Sequence, residues 1–393
     1  MWRRIRCLPA LVALAAAGWL AAPALSVDPY LPAAEDFGQN LPALQRAQGT
    51  AGRLGAAAGD RHGAADDGHA HEGEGPVSHR SAPIDAPKRF DLAGIAGELR
   101  PYELRARDGD GEWTEWTETA DGNPVYFGGA DELQVRARGW EPSGELHYVN
   151  VSGSTSTADR LLNGARGAIN GAFIAAAGIV DPAAAAAPPR PDFVTRGQWG
   201  ANRDNGGCPP RRRASIGKDT RAGVVHHTVT ASSYTRAQAP GIVLGICRFH
   251  RYGNGWDDIG YNALTDRFGT TYIGRAGGIG KPVIGAQAQG FNRQTTGMAV
   301  LGTHTDQPMS KKARRAFGRF FAWRLRKGRP LSDRLQMTSL GGDVNKYPQG
   351  KKIRVQRIIP HRRVSQTECP GNRGVKHLTQ IRNIAERIQK RNR

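Results

Sequence analysis

The sequence predicts an α/β fold, in which a C-terminal domain has a central mixed β-sheet flanked by helices and follows a small antiparallel β domain. Over residues 193–393, short apolar runs rich in β-branched residues alternate with amphipathic segments of helix length. Residues 87–155 instead alternate apolar and polar side chains between Asp-Gly and Pro-Ser turns, which is typical of antiparallel strands. The chain of 393 residues is long enough for two separate cores.

Residues 1–26 have the features of a secretory signal peptide. A positively charged start is followed by an Ala- and Leu-rich run, and Ala24-Leu25-Ser26 is an acceptable cleavage site. The alternative is an uncleaved anchor, because the 21 residues between Arg6 and Asp28 carry no charge. Two prolines and the many alanines favour cleavage. We therefore expect a secreted or wall-associated protein without a stable membrane span.

Two further segments are predicted to be linkers. Residues 27–86 are rich in Ala, Gly, Asp and His and contain few large apolar side chains, so we expect disorder. Residues 156–192 are Ala- and Gly-rich and end in a proline-containing run, which predicts a semi-stiff linker. In the β domain between them, alternation predicts that Leu104 and Leu133 face inward.

The charge is strongly positive and uneven. The net charge is +20, and residues 191–393 contain 38 Lys and Arg against 11 Asp and Glu. A basic half of this kind fits a polyanionic partner, or it is simply a solvated surface. Since export argues against nucleic acid as the main partner, we expect an anionic wall polymer instead.

The elements of the C-terminal domain follow one another as alternating strands and helices. Val224 and Val225 predict a buried strand that delivers His226 at its exit. The other predicted elements are a helix from Pro240 to Phe249, two strands around the turn Asp266–Gly269, a strand over 296–302, a helix over 311–327, a strand over 355–360 that delivers His361, and a closing helix over 374–390.

His226, His361 and Cys369 form a candidate metal site. Two imidazoles and one thiolate are ligands that leave a tetrahedral zinc ion with one open position. Zinc lowers the pKa of a water molecule to near neutral, so the site would generate a nucleophile. If Cys369 binds the metal, Cys208 and Cys247 are left to form a disulfide, which closes a loop of about 38 residues and stabilises by about 4 kcal/mol in the chain-entropy model.

Five stretches then occur in order: VVHHT, WDDIGYNALTDRFGTTYIGR, VIGAQAQGFN, TTGMAVLG and TECPG. This set resembles the peptidoglycan recognition protein / type-2 N-acetylmuramoyl-L-alanine amidase family from about Phe193 to the C-terminus. The β region before it resembles the N-terminal extension of secreted actinobacterial members. The resemblance implies a zinc amidase domain over 193–393 that cleaves the lactyl–L-Ala amide bond of peptidoglycan.

The resemblance also implies roles for individual residues. The zinc ligands of the family fall on His226, His361 and Cys369, and its catalytic residues fall on Tyr261 and Thr367. Members that act only as receptors typically lack the cysteine, so its presence favours an enzyme. Gly255, Trp256 and Arg275 occupy positions that accompany diaminopimelate-type stem peptides, and His227 and Gln287 are expected in the same groove.

Two positions depart from the family pattern. Gln287 stands where many members have His. Arg363 stands where many members have an Asp after His-Arg in the last motif, so the usual support of the ligand loop is absent at that position. No carboxylate in the sequence is an obvious general base, so the proton donor to the leaving amine stays unassigned.

Three function classes remain open. The first is the secreted zinc amidase, and the second is a non-catalytic peptidoglycan-binding module. The third is a basic wall-anchoring protein, whose binding would depend on salt and not on the stem peptide. The intact set of His226, His361 and Cys369 favours the first.

Overall fold

The computed structural model describes residues 33–47, 76–119, 121–153, 188–326 and 330–392. The predicted signal peptide and most of the linker over 156–192 lie outside the described residues. Among the helices that the structure does describe, none is long and apolar enough to cross a membrane.

The N-terminal region is an antiparallel β domain. Its strands run in the order β1-β8-β4-β7-β3-β2, and β5 adds to β7 and pairs with β6. The bounds are β1 Glu35–Asn40, β2 Gln45–Arg46, β3 Val77–Arg80, β4 Ile84–Ile95, β5 Tyr102–Arg107, β6 Thr117–Thr119, β7 Val125–Arg138 and β8 Glu145–Asn150. Leu104 and Leu133 are fully buried, as the alternation predicts. The antiparallel β fold is thereby confirmed.

The prediction that residues 27–86 are disordered is wrong for part of that range. Strand β1 pairs along its whole length with β8, and Phe37 stacks on Tyr148 with ring centroids 5.2 Å apart. Strand β3 and the first residues of β4 also belong to this sheet. Strand β1, at the edge of the sheet, needs few apolar side chains of its own, because its neighbour β8 supplies the backbone hydrogen bonds and the core. Local composition therefore underestimates its order.

The C-terminal domain contains a mixed sheet in the order β11-β10-β12-β9-β15, as predicted. Strands β10, β12, β9 and β15 are parallel, whereas β10 and β11 are antiparallel. A separate hairpin is formed by β13 and β14. The bounds are β9 Ala222–His227, β10 Ala263–Thr265, β11 Thr271–Ile273, β12 Thr295–Val300, β13 Arg334–Thr338, β14 Lys352–Gln356 and β15 Ile358–Pro360.

Helices cover both faces of this sheet. Helix α1 spans Ala239–Arg248 and continues into a π-helical turn over Phe249–Gly253, and the other helices are α2 Lys311–Arg324, α3 Asn372–Lys376 and α4 Leu378–Arg391. The buried aromatic side chains of α2 pack with Ile381 of α4 in one core cluster. The predicted strand over 355–360 is in fact two strands, because β14 pairs with β13 while β15 enters the main sheet. The predicted closing helix is likewise two helices, α3 and α4.

The two domains share a hydrophobic core. Leu92 and Val149 of the β domain belong to the same buried cluster as Ile242 and Ile246 of α1. A Cβ atom placed on Gly245 would lie 2.3 Å from Leu92 Cδ1, so the glycine permits this close approach. The shared core fixes the β domain against α1 and brings the loop between β6 and β7 to the edge of the mixed sheet.

Candidate metal centre and interdomain cavity

The three predicted ligands converge at one edge of the mixed sheet. Strands β9 and β15 are parallel neighbours, with Pro360 opposite Val225, so His226 and His361 leave the sheet side by side. Cys369 follows on the loop after a short 3-10 turn. Their ligand atoms lie within 4.8 Å of one another, and all three side chains are buried.

The residues present fit a zinc ion. His226 Nδ1 faces Cys369 Sγ at 3.7 Å, and His361 Nδ1 is buried without a hydrogen-bond partner. A buried polar atom without a partner is costly unless something binds it. Burial, and then the neighbouring His361, lower the pKa of His226 well below its ordinary value, which keeps the imidazole in its metal-binding form.

The Cys369 thiol would need a cation to ionise. Burial raises its pKa well above the ordinary value, and the negative charge of Asp121 raises it further. A bound metal ion reverses this tendency, because a coordinating thiol is deprotonated outright. A site with this donor set therefore binds a metal with release of a proton.

Gln287 orients the first ligand. Its side-chain oxygen pairs with His226 Nε2, and its amide nitrogen donates to Thr295 Oγ1 at 3.0 Å. This contact leaves His226 Nδ1 to face the cysteine. A Cβ on Gly297 would lie 2.5 Å from the Gln287 amide, so that position has room only for glycine. Although Gln287 departs from the family pattern, it still provides a hydrogen-bond partner for the candidate ligand His226.

The ligand loop is supported by Arg362 rather than by its neighbour. The Arg362 backbone N–H donates to Cys369 O at 2.8 Å, and its guanidinium donates to Glu368 O and to Asn372 Oδ1. The side chain of Arg363 contacts the Tyr347 hydroxyl instead. Although position 363 has no carboxylate, the contacts of Arg362 hold the ligand loop in place.

The two hydroxyl groups expected to act in catalysis both contact the β domain. The Tyr261 hydroxyl donates to Asn123 Oδ1 at 2.8 Å, and its ring lies 5.2 Å from that of His226. The Thr367 hydroxyl donates to Asp121 Oδ2 at 2.8 Å. Burial raises the pKa of Tyr261 well above its ordinary value, and the charges of Cys369 and Asp121 add to this, so it stays a neutral phenol.

A cavity of about 220 Å³ opens beside the candidate ligands. It lies between the domains, since Leu99, Asp121 and Asn123 of the β domain line it together with residues of the mixed-sheet domain. The latter are His226, His250, Trp256, Tyr261, Ala286, Gln287, Ala288, Gln289, Asn292, Val344 and His361.

The other predicted substrate-binding residues occupy different places. Gly255, with a φ of 68°, precedes Trp256, whose side chain lines the cavity. The guanidinium of Arg275 donates a hydrogen bond to the carbonyl oxygen of Ile259 at 3.2 Å. His227 does not line the cavity, because its buried ring accepts the backbone N–H of His304 at 3.1 Å.

The predicted disulfide is confirmed. Cys208 and Cys247 are bonded, with Cα atoms 6.2 Å apart, and both are buried. The bond joins the segment before β9 to helix α1. Since Cys369 is free and lies in the candidate metal site, the cysteines divide as expected.

Sequence reasoning missed Asp121, Asn123 and His250. The first two flank Gly122, and an Asp-Gly-Asn run indicates only a turn between strands. His250 stacks on Trp256 with ring centroids 4.7 Å apart, and its Nε2 lies 3.3 Å from Asn123 Oδ1. Nothing in the local sequence distinguishes it from a core histidine.

Comparison with known proteins gives consistent results. Residues 217–372 match the family Amidase_2, N-acetylmuramoyl-L-alanine amidase. The chain is 28% identical over 178 residues to peptidoglycan-recognition protein SC1a of Drosophila melanogaster, covering 45% of this chain and 79% of the relative. It is 27% identical over 125 residues to N-acetylmuramoyl-L-alanine amidase of Sus scrofa, covering 32% of this chain and 17% of the relative.

Among solved structures, peptidoglycan recognition protein LE in complex with tracheal cytotoxin is similar. That complex is described as holding a monomeric diaminopimelic acid-type peptidoglycan. The TM-score is 0.37 at 24% identity, over 48% of this chain and 92% of the other. The family match over residues 217–372 and the sequence relatives support a domain of the peptidoglycan recognition protein / type-2 N-acetylmuramoyl-L-alanine amidase family in this part of the chain.

Proposed function

We propose that the protein is a secreted, zinc-dependent N-acetylmuramoyl-L-alanine amidase. Its substrate is the amide bond between the lactyl group and L-Ala of peptidoglycan. The observation that carries the proposal is the convergence of His226, His361 and Cys369 at the edge of a cavity that Tyr261 and both histidines line. In this proposal residues 1–26 are the signal peptide and residues 193–393 form the amidase domain.

The ligand set would hold one zinc ion. When bound, zinc polarises the scissile carbonyl and lowers the pKa of a water molecule. Gln287 holds the orientation of His226, which maintains the geometry of the site. The cavity wall includes the buried side chains of His226 and Tyr261, so hydrogen bonds made to them are stronger than at the surface.

Tyr261 and Thr367 would act on the reacting atoms. The Tyr261 hydroxyl lies at the cavity wall, where it can either donate to the carbonyl oxygen as negative charge develops or hold the attacking water. Thr367 would act beside the same oxygen, with its hydroxyl proton held by Asp121 Oδ2. Both roles need the neutral hydroxyl forms that burial favours.

Specificity for diaminopimelate-type stems is part of the proposal. Trp256 lines the cavity, whereas Arg275 does not; its partly buried guanidinium donates to the carbonyl oxygens of Asp258 and Ile259. A guanidinium can contact the extra carboxylate of diaminopimelate in a bidentate manner. Comparing diaminopimelate-type with lysine-type peptidoglycan tests this point, and equal rates with both would contradict it.

The experiment uses the full chain, because the shared core gives no reason to expect the C-terminal domain to fold alone. Diaminopimelate-type peptidoglycan is incubated with the protein, and soluble products are identified by mass spectrometry. We expect stem peptides that begin with L-Ala, lost with a chelator, restored by zinc, and absent with Cys369→Ser. Exposed Ser332 provides a matched control as Ser332→Ala, which should behave as wild type.

A non-catalytic recognition module is the second candidate, and the named relatives that are recognition proteins favour it. It predicts binding to the wall that survives the chelator, with no stem peptide released under any metal. That result would contradict the amidase and establish the module.

A basic cavity supports binding of an anionic wall polymer. It has a volume of about 710 Å³ and lies at the hairpin β13–β14, away from the candidate metal centre. Among its lining residues Asp219 is the only carboxylate, whereas the cations are Lys218, Arg221, Arg324, Arg326, Arg334, Arg354 and Arg357. Burial lowers the pKa of Arg324 to about 10, with a contribution from Arg326. An anion would relieve this crowding of positive charge.

Binding of a phosphodiester wall polymer tests this second site. Arg334→Gln with Arg354→Gln should weaken binding and flatten its dependence on salt. Arg315→Gln with Arg319→Gln, on the exposed face of α2, removes the same charge elsewhere and serves as control. Equal losses in both double variants would indicate a diffuse surface effect and contradict a specific cavity.

A further inference from the structure

The loop between β6 and β7 enters the candidate active site. Asp121 Oδ2 accepts from the Thr367 hydroxyl at 2.8 Å and lies 3.5 Å from His361 Nδ1. Asn123 Oδ1 accepts from the Tyr261 hydroxyl at 2.8 Å. A single short loop of the β domain thus contacts one candidate ligand and both candidate catalytic hydroxyls.

The loop is held from both sides. Within the β domain, the Asp121 N–H donates to Leu99 O at 3.0 Å, and the Thr119 hydroxyl donates to Asn123 O at 2.6 Å. From the other domain, Asn254 Nδ2 donates to Gly122 O at 2.7 Å. A Cβ on Gly122 would lie 2.7 Å from that same nitrogen, so the glycine allows the contact. The loop is therefore a fixed part of the cavity wall.

Asp121 has an unusual backbone conformation. Its φ is 59°, in the left-handed region that few residues other than glycine adopt. Gly122 follows with a φ of 70°, and a left-handed Asp-Gly pair is a conformation that tight turns commonly use. Here it directs the carboxylate toward Thr367 and His361, the two side chains that its oxygen approaches.

We propose that the N-terminal β domain completes the active site, with Asp121 and Asn123 as positioning residues. This inference rests on the proposed function. Asp121 fixes the Thr367 hydroxyl, and its carboxylate stands beside the His361 nitrogen that is available to a metal ion. Asn123 Oδ1 accepts the hydrogen bond that the Tyr261 hydroxyl donates, so the lone pairs of the phenol oxygen stay available to the cavity. Tyr261 then accepts a hydrogen bond from the attacking water, rather than donating to the carbonyl oxygen.

The opposite interpretation is that the loop blocks the site and must leave before substrate binds. The shared core argues against it, since Leu92 and Val149 are buried against α1. An ion pair between Asp36 and Arg248 adds a second link between the domains. Moving the loop out with its domain would expose this apolar surface, whereas the cavity already leaves about 220 Å³ beside the candidate ligands.

The test uses three variants of the full chain: Asp121→Asn, Asp121→Ala and Asn123→Leu. Release of stem peptides gives kcat and KM, and competition with a coloured chelator gives the zinc affinity. We expect Asp121→Ala to lose about 10- to 100-fold in kcat, because the Thr367 hydroxyl loses the carboxylate that positions it. The zinc affinity should change as well, because this carboxylate lies 3.5 Å from His361 Nδ1, the nitrogen available to the metal. Asn123→Leu should lower kcat about as much with KM nearly unchanged. Asp110→Asn, in an exposed loop of the same domain, is the matched control.

Two outcomes would overturn the proposal. A higher kcat in the variants than in wild type would show that the loop obstructs the site. Values of kcat and zinc affinity equal to those of the control would show that Asp121 and Asn123 only pack against the site. Because Asp121→Asn keeps the size of the side chain, its thermal melting separates a lost fold from a lost function.

A second measurement keeps this inference separate from the proposed function. If wild type itself releases no stem peptides, the proposed function fails, but cobalt(II) can still be titrated into the protein. The visible bands of bound cobalt should then differ between wild type and Asp121→Asn and stay unchanged in Asp110→Asn. Identical bands in all three proteins would overturn the role of Asp121 independently of any activity.

Discussion

The ligand cluster and the β6–β7 loop meet in one cavity but are encoded differently. His226 and His361 lie at the ends of adjacent parallel strands, so two short apolar runs are enough to bring them together. The loop contacts span 138 residues from Asn123 to Tyr261 and 246 residues from Asp121 to Thr367. The comparison shows that strand ends can be predicted from motifs, whereas a loop supplied by another domain cannot.

The largest expected effect comes from the ligand cluster itself. Removing the thiolate in Cys369→Ser, or removing the metal with a chelator, should abolish stem-peptide release to the detection limit, because no other group would activate water. Product analysis by mass spectrometry measures this, with binding to insoluble wall as a parallel readout. Residual activity at the level of wild type would mean that the cluster is structural.

Gln287→Ala sharpens the comparison by testing a contact within the C-terminal domain. The change removes the partner of His226 Nε2, and we expect zinc affinity to fall about 10- to 100-fold. Gln366→Ala, on the exposed part of the ligand loop, is the matched control and should keep the affinity of wild type. A chelator competition compares the two variants, and equal affinities would remove the orienting role of Gln287.

Glycines of α1 probe how firmly the loop's domain is attached. Gly245→Ala places a methyl group against Leu92 and should cost about 1–3 kcal/mol of unfolding free energy. Gly241→Ala meets Val151 only at ordinary contact distance, so it should be neutral or stabilise by up to about 1 kcal/mol. Denaturant unfolding measures both variants. Equal stabilities would show that the domains are not packed as described.

His250 is expected to make a smaller contribution, to the pH dependence of folding stability. Burial, with the positive charge of Arg275, lowers its pKa to about 3. Between pH 6.5 and about 3 the unfolded chain binds this proton and the folded chain does not, so folding stability falls as the pH falls. The slope approaches about 1.4 kcal/mol per pH unit for one proton. Urea unfolding at pH 7, 6 and 5 should show a shallower slope in His250→Gln, and an unchanged slope would contradict the assignment.

Several features of the fold could be predicted because they depend on local pattern. The run around Val224 and Val225 is a strand, and Pro240 stands at the start of α1. Strand boundaries are harder to predict where two neighbouring segments of similar composition pair with different strands. The pattern over residues 355–360 predicts one strand, yet the single residue Arg357 separates a hairpin strand from a strand of the main sheet.

What the sequence determines by itself is the mixed sheet and the set of side chains at its edge. Hydrophobic periodicity, turn residues and the alternation of strands and helices are local properties, so His226, His361 and Cys369 could be identified from the sequence alone. Only the tertiary structure decided that β1 joins the first sheet, that Gln287 faces a ligand, and that Asp121 and Asn123 reach the cavity. Those contacts arise from packing one domain on another, and their free energy is set by surfaces that lie far apart in the chain.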